Sequence, residues 1–148
     1  LDIGPEMGFF TLPMAAMVGQ TGRIIAVDLQ EKMLGSLRRR ATRPGLADRI
    51  ETRLCSDISL NIDDLSERVD FALTFAVLHE LPDVPRALQS ISRTLRPGGT
   101  LLIAEPSGHV SEVAFGRTTT AAEACGLSLI DQPSIRRSRT ALLIKNRP

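Results

Sequence analysis

The chain has 148 residues and a formal net charge of +1, since 18 basic side chains oppose 17 acidic ones. That length suits a single domain with its own core. The even charge balance gives no overall electrostatic reason to expect nucleic acid or a membrane surface as the partner. Only five residues are aromatic, all phenylalanine, so the chain offers few platforms for base stacking.

Two cysteines, Cys55 and Cys125, are flanked by ordinary strand or helix residues. This context predicts buried thiols in a reducing compartment instead of a disulfide. No apolar run reaches the roughly 20 residues of a membrane-spanning helix, and no leader-like pattern opens the chain. We therefore expect a cytoplasmic protein without a membrane partner.

The first eight residues form an apolar strand that ends in an acidic turn with two glycines. Gly4 and Gly8 allow a ligand to approach the backbone closely, because glycine has no Cβ and can adopt positive φ. A dinucleotide-binding turn has the pattern G-x-G-x-x-G. In this chain the small positions would instead fall at 4, 6 and 8, and Phe9 occupies the position of the third glycine of the dinucleotide pattern. The turn is more typical of a methyl-donor nucleotide than of a nicotinamide.

A first helix is predicted over residues 11–18, because Pro13 would lie in its first turn, where proline is tolerated. A second strand, 23–28, ends at Asp28, which follows Gly8 by 20 positions. That separation is close to the one at which such folds place an acid on ribose hydroxyls. The alternative is that Asp28 caps the helix predicted over 32–43, since Glu31 follows three residues later.

The second helix carries four arginines, Arg38, Arg39, Arg40 and Arg43. Such a run could bind phosphate or RNA, but successive helical residues point in different directions and no aromatic residues interleave. A solvated helix face is the favoured interpretation. A third strand, 50–54, then leads to Asp57 and Ile58.

Residues 69–75 form a nearly continuous apolar run, as in a central strand buried on both faces. The carboxyl end of such a strand is where doubly wound sheets hold ligands, and His79 and Glu80 follow there. No metal site is predicted, because adjacent residues cannot easily converge on one ion and no third ligand has a recognisable spacing. His79 is interpreted as closing the pocket or capping the next helix, with a general base as the alternative.

The second half continues the alternation with an amphipathic helix over 83–95, a stop at Pro97-Gly98-Gly99 and a fifth strand over 100–104. A last helix over 111–125, with Ser111 as its N-terminal cap, precedes two strands, 127–130 and 140–144, that form a closing hairpin. The cluster Arg136-Arg137-Ser138-Arg139 lies between them. It is interpreted as an exposed hairpin tip, with an acidic or phosphate-bearing acceptor as the alternative.

The glycine turn, Asp28 and the segment Leu95-Arg96-Pro97-Gly98-Gly99-Thr100-Leu101-Leu102-Ile103 together resemble the class I S-adenosylmethionine-dependent methyltransferases. The resemblance covers nearly the whole chain. It implies an α/β three-layer Rossmann-like sandwich with a mostly parallel seven-stranded sheet and one antiparallel strand near the C-terminus. The alternation of strands and helices by itself predicts a parallel sheet with right-handed crossovers.

The resemblance also implies S-adenosyl-L-methionine as the cofactor and a set of donor-binding positions. In the family, an acid after the third strand reaches the adenine amine while its apolar neighbour packs on the ring; the alternative for Asp57 is a turn aspartate that binds its own backbone. The family usually has a glycine in place of Glu6, whose carboxylate could repel the donor's carboxylate or turn outward. The predicted donor-binding residues are Asp2, Ile3, Gly4, Pro5, Glu6, Met7, Gly8, Asp28, Leu29, Asp57, Ile58, Phe75 and Ala76.

The predicted function is methyl transfer to an unidentified small-molecule acceptor by one domain spanning 1–148, with His109, His79 and Glu105 as catalytic candidates at the acceptor loops. A homo-oligomer is left open. An arsenic acceptor is disfavoured, because its binding would require several converging cysteine thiols, and the chain has only two cysteines. The alternatives are a non-catalytic donor-binding or interaction module and, less favoured, a nicotinamide-dependent oxidoreductase.

The chain opens with Leu1 already inside the first strand and without a methionine. In the resembled family an N-terminal helical segment precedes this strand and helps to cover the donor pocket. We expect that segment to be missing here. The alternative is that the ordered part of the protein begins at this point.

Overall fold

The structure is a computed structural model that describes residues 1–147. These residues divide into two compact units, one formed by residues 1–61 and the other beginning at residue 62. No helix in the described part of the chain combines the length and apolar character needed to cross a membrane.

The first unit is a β-α-β-α-β arrangement of three parallel strands. Strand β2 (Ile24–Asp28) lies between β1 (Asp2–Ile3) and β3 (Ile50–Leu54), and it pairs in parallel with both. Helix α1 (Thr11–Met17) connects β1 to β2, and helix α2 (Glu31–Thr42) connects β2 to β3. The predicted elements of this half are confirmed.

Helix α2 packs through an apolar stripe at i, i+3 and i+7, where Leu34, Leu37 and Ala41 are buried. The turn after β1 packs closely on this helix at Gly8. A Cβ at Gly8 would lie 2.4 Å from Cδ1 of Leu37 and 3.2 Å from Cγ of Leu12. Glycine is therefore required there for packing as well as for its backbone angle, since Gly8 has a φ of +91°.

The second unit contains strands β4 (Val69–Phe75), β5 (Leu95–Pro106), β6 (Leu127–Asp131) and β7 (Ser138–Lys145). Strand β5 is parallel to β4, and β7 is antiparallel to both of its neighbours, β5 and β6. Two helices complete this unit, α3 (Val84–Thr94) and α4 (Glu112–Ala124).

The seven strands form one sheet in the order β3-β2-β1-β4-β5-β7-β6. The predicted fold class is confirmed: the fold is a Rossmann-like α/β fold with a mostly parallel sheet, in which β7 supplies the antiparallel pairing near the C-terminus.

Both helices of the second unit begin at capping side chains. The Asp83 carboxylate accepts a hydrogen bond from the backbone N–H of Arg86 at 3.0 Å, and the Ser111 hydroxyl accepts one from Ala114 at 3.1 Å. Helix α3 buries Ala87, Leu88 and Ile91, which belong to its predicted apolar face. The predicted cap at Ser111 is confirmed.

The predicted boundary of β5 is wrong, because the strand starts at Leu95 and not at Thr100. Leu95 pairs with Val69, and after a register shift Thr100 pairs with Phe71. A Cβ at Gly99 would lie 2.9 Å from the Val69 carbonyl oxygen, so glycine lets the two backbones approach. The segment Pro97-Gly98-Gly99 is thus an irregularity inside a strand and not a turn before one.

Candidate functional site

The turn that follows β1 has left-handed backbone angles at alternate positions. The φ values are +71° at Gly4, +50° at Glu6 and +91° at Gly8. The Gly4 N–H donates to the Val27 carbonyl at 2.9 Å, and the Gly8 N–H donates to the Pro5 carbonyl at 2.8 Å. The first bond fixes the turn against β2, and the second closes the turn on itself. The three positions with positive φ are the ones at which the sequence pattern requires small residues.

Glu6 is the non-glycine member of this series. A left-handed backbone costs a residue with a Cβ about 1 kcal/mol, and such strain persists only where the surrounding structure holds it. The residue is exposed. This exposure fits the alternative in which the carboxylate turns outward.

Asp2 lies just before the turn and is only 2% exposed. The hydroxyl of Thr11, which is also buried, donates to Oδ2 of Asp2 at 2.6 Å. Burial raises the pKa of Asp2, and the hydrogen bond from Thr11 opposes that rise. Asp2 therefore joins β1 to the first residue of α1, and the sequence analysis did not identify Thr11 as its partner. A hydroxyl at the first helical position after an acidic strand end is the signal that could have revealed it.

Asp28 ends β2 and accepts a hydrogen bond on Oδ1 from the backbone N–H of Gln30 at 2.8 Å. Helix α2 begins at Glu31, and its N-cap residue is Gln30. Asp28 thus forms a local turn before the helix and does not occupy the N-cap position that the capping alternative required. The neighbouring Leu29 is 55% exposed.

Asp57 and Ile58 stand at the tip of a tight turn after β3. Ser56 and Ser59 close that turn with two backbone hydrogen bonds, at 2.9 and 3.3 Å. No residue among 1–147 donates a hydrogen bond to the Asp57 carboxylate, so the turn does not depend on it. Ile58 is 70% exposed, an unusual position for a large apolar side chain. The Cys55 N–H donates to the Asp28 carbonyl at 2.9 Å and ties this turn to the end of β2.

In the second unit, Glu105 is a fully buried carboxylate at the end of β5. Its Oε1 accepts a hydrogen bond from the Leu78 N–H at 2.9 Å, and its Oε2 contacts Nδ1 of His79. Since Nδ1 faces the carboxylate, Nε2 is the nitrogen of His79 that remains for another partner. The His79 side chain is 24% exposed.

His109 stands next to this pair, with its ring centroid 6.1 Å from that of His79 and the rings inclined at 73°. The backbone N–H of His109 donates to the Pro106 carbonyl at 3.0 Å, and this bond fixes the loop that carries His109. The structure thus brings together the three predicted catalytic candidates, which lie up to 30 positions apart in the sequence.

The loop between β4 and His79 is strained at Ala76, whose φ is +55°. The Ala76 N–H donates to the Ala104 carbonyl at 2.7 Å, so the bend at the end of β4 is fixed against β5. Residues held in this conformation cluster at functional sites. Phe75 and Ala76, both predicted as donor contacts, stand at this bend.

The arginine cluster at the start of β7 borders the same loops of the second unit: Arg136 and Arg137 precede this strand, and Arg139 lies within it. Arg139 donates through Nε to the Val110 carbonyl at 2.9 Å, while the Arg137 carbonyl accepts from the Ser107 N–H at 2.9 Å. Arg136 and Arg137 are exposed, which agrees with the interpretation as a hairpin tip. In the described part of the chain no three His, Cys, Asp or Glu side chains form a group that could hold a metal ion.

A parallel sheet whose first strand ends in such a turn before a helix defines a Rossmann-like ligand-binding domain. A family model described as a methyltransferase domain matches residues 1–103. The chain belongs to this methyltransferase-domain family. The predicted class, a class I S-adenosylmethionine-dependent methyltransferase domain, is confirmed.

Curated relatives are similar over most of this chain. A ubiquinone/menaquinone biosynthesis C-methyltransferase UbiE from Hydrogenovibrio crunogenus is 30% identical over 105 residues, which are 71% of this chain and 41% of that protein. A demethylmenaquinone methyltransferase from Symbiobacterium thermophilum is 32% identical over 117 residues, 78% of this chain and 46% of that protein. The chain spans less than half the length of these relatives.

Solved structures share the fold at lower identity. A S-adenosylmethionine-dependent methyltransferase from Aquifex aeolicus superposes with a TM-score of 0.81 at 20% identity, covering 97% of this chain and 79% of that one. The [4+2]-cyclase SpnF superposes with a TM-score of 0.74 at 20% identity, covering 89% of this chain and 52% of that one. These similarities establish the fold alone.

Replacing Glu6 with glycine is expected to raise the free energy of unfolding by about 1 kcal/mol, because glycine adopts a φ near +50° without strain. Denaturant unfolding of Glu6→Gly and the wild type measures the difference. Met7→Gly is the control, because this exposed neighbour lacks the positive φ and glycine should destabilise it. A less stable Glu6→Gly variant would contradict the strain argument.

The raised pKa of Asp2 predicts a pH-dependent effect of Asp2→Asn on stability. The folded chain holds the proton of the Asp2 carboxyl group more tightly than the unfolded chain does. Wild-type stability therefore falls as the pH rises from the ordinary pKa of 3.8 through the raised pKa of the folded chain. Asparagine does not titrate and still accepts from Thr11. The stability advantage of Asp2→Asn should therefore grow with pH and then level off.

Thermal unfolding of both proteins between pH 4 and pH 8 measures this advantage. Thr11→Val, which removes the bond that favours the charged form, should move the pH-dependent range upward. A difference that stays constant across the range would show that Asp2 titrates normally.

Proposed function

We propose that this chain is the catalytic domain of an S-adenosylmethionine-dependent methyltransferase that acts on a small-molecule acceptor. The observation that carries the proposal is the turn after β1, whose left-handed angles at positions 4, 6 and 8 form a backbone cradle beside the buried Asp2. Membership in the methyltransferase-domain family supports the same reaction. The proposed donor contacts are the thirteen positions predicted from the sequence.

The first unit supports donor binding because it offers carboxylates and an apolar side chain that can contact the ribose and the base of an adenosine. A carboxylate can accept from both hydroxyls of a ribose, and Asp28 stands at a strand end with its backbone fixed by Cys55. Asp57 offers a carboxylate without a partner in the described chain, and the exposed Ile58 offers an apolar surface for a ring. When bound, S-adenosylmethionine supplies a methyl group that its own sulfonium charge has activated.

The second unit supports a general base at His79. Glu105 is buried, anchored by the Leu78 N–H, and directed at Nδ1 of His79, so it orients the ring and leaves Nε2 to take a proton. A base is useful only where the acceptor atom loses a proton as its bond to the methyl carbon forms. We therefore propose an acceptor with an ionisable O–H, N–H or activated C–H, which His109 would help to orient.

The nature of the partner is also part of the proposal. The even charge and the scarcity of aromatic residues support a small-molecule acceptor over nucleic acid. One of the two relatives above is named for ubiquinone/menaquinone biosynthesis and the other for methylation of demethylmenaquinone, so phenolic and quinol precursors belong in the first acceptor screen.

The cellular location and the assembly of the protein are proposed as well. The free thiols of Cys55 and Cys125 support a cytoplasmic location. The exposed Leu129 and Ile130 on edge strand β6 support a homo-oligomer.

A non-catalytic donor-binding or interaction module is the second candidate. Glu6 favours the interaction module, because a carboxylate in the cradle could repel the donor's own carboxylate. A [4+2]-cyclase with this fold also shows that the architecture serves other chemistry. A nicotinamide-dependent oxidoreductase has less support, because the turn lacks G-x-G-x-x-G.

Calorimetric titration of S-adenosylmethionine and its demethylated product into the chain is the test of the donor site. We expect micromolar binding that Asp28→Ala weakens about 10-fold or more, because two hydrogen bonds to a charged group are lost. Asp48→Ala, an exposed aspartate of the same unit, is the matched control and should bind as the wild type does. Absence of binding by the folded wild type with binding by Glu6→Gly would favour the non-catalytic interaction module over a donor-binding domain.

His79→Ala is expected to lower kcat about 100-fold or more with the acceptor that the screen identifies, because a general base is lost. Donor affinity should stay unchanged, and added imidazole should partly restore the rate. Glu80→Ala, an exposed neighbour, is the control.

Glu105 acts through His79, so the double variant Glu105→Gln/His79→Ala should be no slower than His79→Ala. A His79→Ala variant within twofold of the wild-type kcat would leave His79 with a structural role.

A further inference from the structure

A cleft of about 620 Å³ opens in the first unit beside helix α2. Three arginines line it, Arg39, Arg40 and Arg43, together with apolar side chains from elsewhere in the unit, Met7, Leu12 and Pro44. A volume of this size lies within the range of small-molecule pockets. The combination of an apolar wall and several cations indicates a ligand that is both apolar and anionic.

The arginines face the cleft because of their spacing. Ser36, Arg39, Arg40 and Arg43 follow each other at i, i+3, i+4 and i+7, which places them along one side of a helix. Arg43 directly follows α2 and keeps helical backbone angles. Arg38, between them in sequence, bonds instead to Glu31 and to the Thr52 hydroxyl. The arginine run is therefore divided, and only three of its four members belong to the cleft.

Two of the three cleft arginines donate to neutral partners. Arg39 donates to the Ser36 hydroxyl at 2.9 Å, and Arg40 donates to the Met7 carbonyl at 2.7 Å. Among residues 1–147, no carboxylate forms an ion pair with any of the three, whereas Arg38 does pair with Glu31. Like charges at i and i+4, as at Arg39 and Arg43, destabilise a helix by a few tenths of a kcal/mol, although their place near its C-terminus offsets part of this.

We propose that the cleft binds the phosphate group of a small phosphate ester whose apolar body packs against Met7, Leu12 and Pro44. One bidentate arginine satisfies a carboxylate, whereas the charge and three oxygens of a phosphate monoester match several guanidinium groups. This ligand is additional to the donor and acceptor of the proposed methyl transfer, and its cleft shares Met7 with the proposed donor contacts.

Octyl phosphate, inorganic phosphate and the neutral octyl glucoside are the probes, titrated into the chain at low ionic strength by calorimetry. Octyl phosphate should bind at least 10-fold more tightly than inorganic phosphate, and octyl glucoside should not bind. The double variant Arg39→Gln/Arg43→Gln should lose at least 10-fold in affinity for octyl phosphate. Both positions are exposed, so the circular dichroism spectrum and melting temperature should not change.

Arg38→Gln is the matched control, because it removes the same charge from the same helix outside the cleft. Equal loss of affinity in Arg38→Gln and in the double variant would overturn the proposal, since general electrostatic attraction would then explain the binding. Failure of octyl phosphate to bind would also overturn it. Association with phosphatidic acid vesicles without binding of soluble octyl phosphate would assign the arginines to a lipid surface and reject the cleft.

Discussion

The hydrogen bond between Thr11 and the buried carboxylate of Asp2 holds the first strand to the first helix across the glycine turn. Strand β1 has only two residues, so pairing along the sheet does little to fix its end. The turn between these two bonded residues must reverse direction in a short length, and its left-handed angles follow from that requirement. The hydrogen bond from Thr11 thus stabilises a carboxylate that would be costly to bury alone, and the same bond anchors the turn.

A second buried carboxylate has a corresponding role in the other unit. Glu105 has both oxygens engaged, one by the Leu78 N–H and one by His79, so the loop after β4 is bound to the end of β5. In each unit an acid at a strand end fixes the loop or helix that carries the proposed ligand contacts. Asp2 and Glu105 therefore set geometry first, and any chemistry depends on the groups that they hold.

The sequence predicted the fold well where local patterns were sufficient. The apolar run of β4, the buried face of α3 and the cap at Ser111 depend on neighbouring residues, and all three are confirmed. The start of β5 was mispredicted because Pro97-Gly98-Gly99 has the composition of a turn. The close approach of the Arg96 and Val69 carbonyl oxygens, each 2.9 Å from where a Cβ would lie, explains why glycine stands inside that strand.

The candidate site was predicted less completely, because its contacts join distant residues. His79 and Glu105 were each singled out, but nothing in the sequence shows that an imidazole nitrogen and a carboxylate 26 positions apart make contact. The same is true of Arg40 and the Met7 carbonyl, which are 33 positions apart. The direction of Arg38 away from its neighbours depends on Glu31 of the same helix and on Thr52 of β3. Only the packing of α2 on β3 brings Thr52 within reach.

The order of strands at one edge of the sheet has a consequence for biosynthesis. Strand β6 precedes β7 in the chain, yet β7 lies between β5 and β6 and pairs with both. While the ribosome is still making residues 132–145, β6 has no strand to pair with, and the backbone N–H and C=O groups on the β7 side of β5 are unpaired. This edge can close only after β7 emerges, so the nascent chain passes through a stage in which β5 can associate wrongly or engage a chaperone.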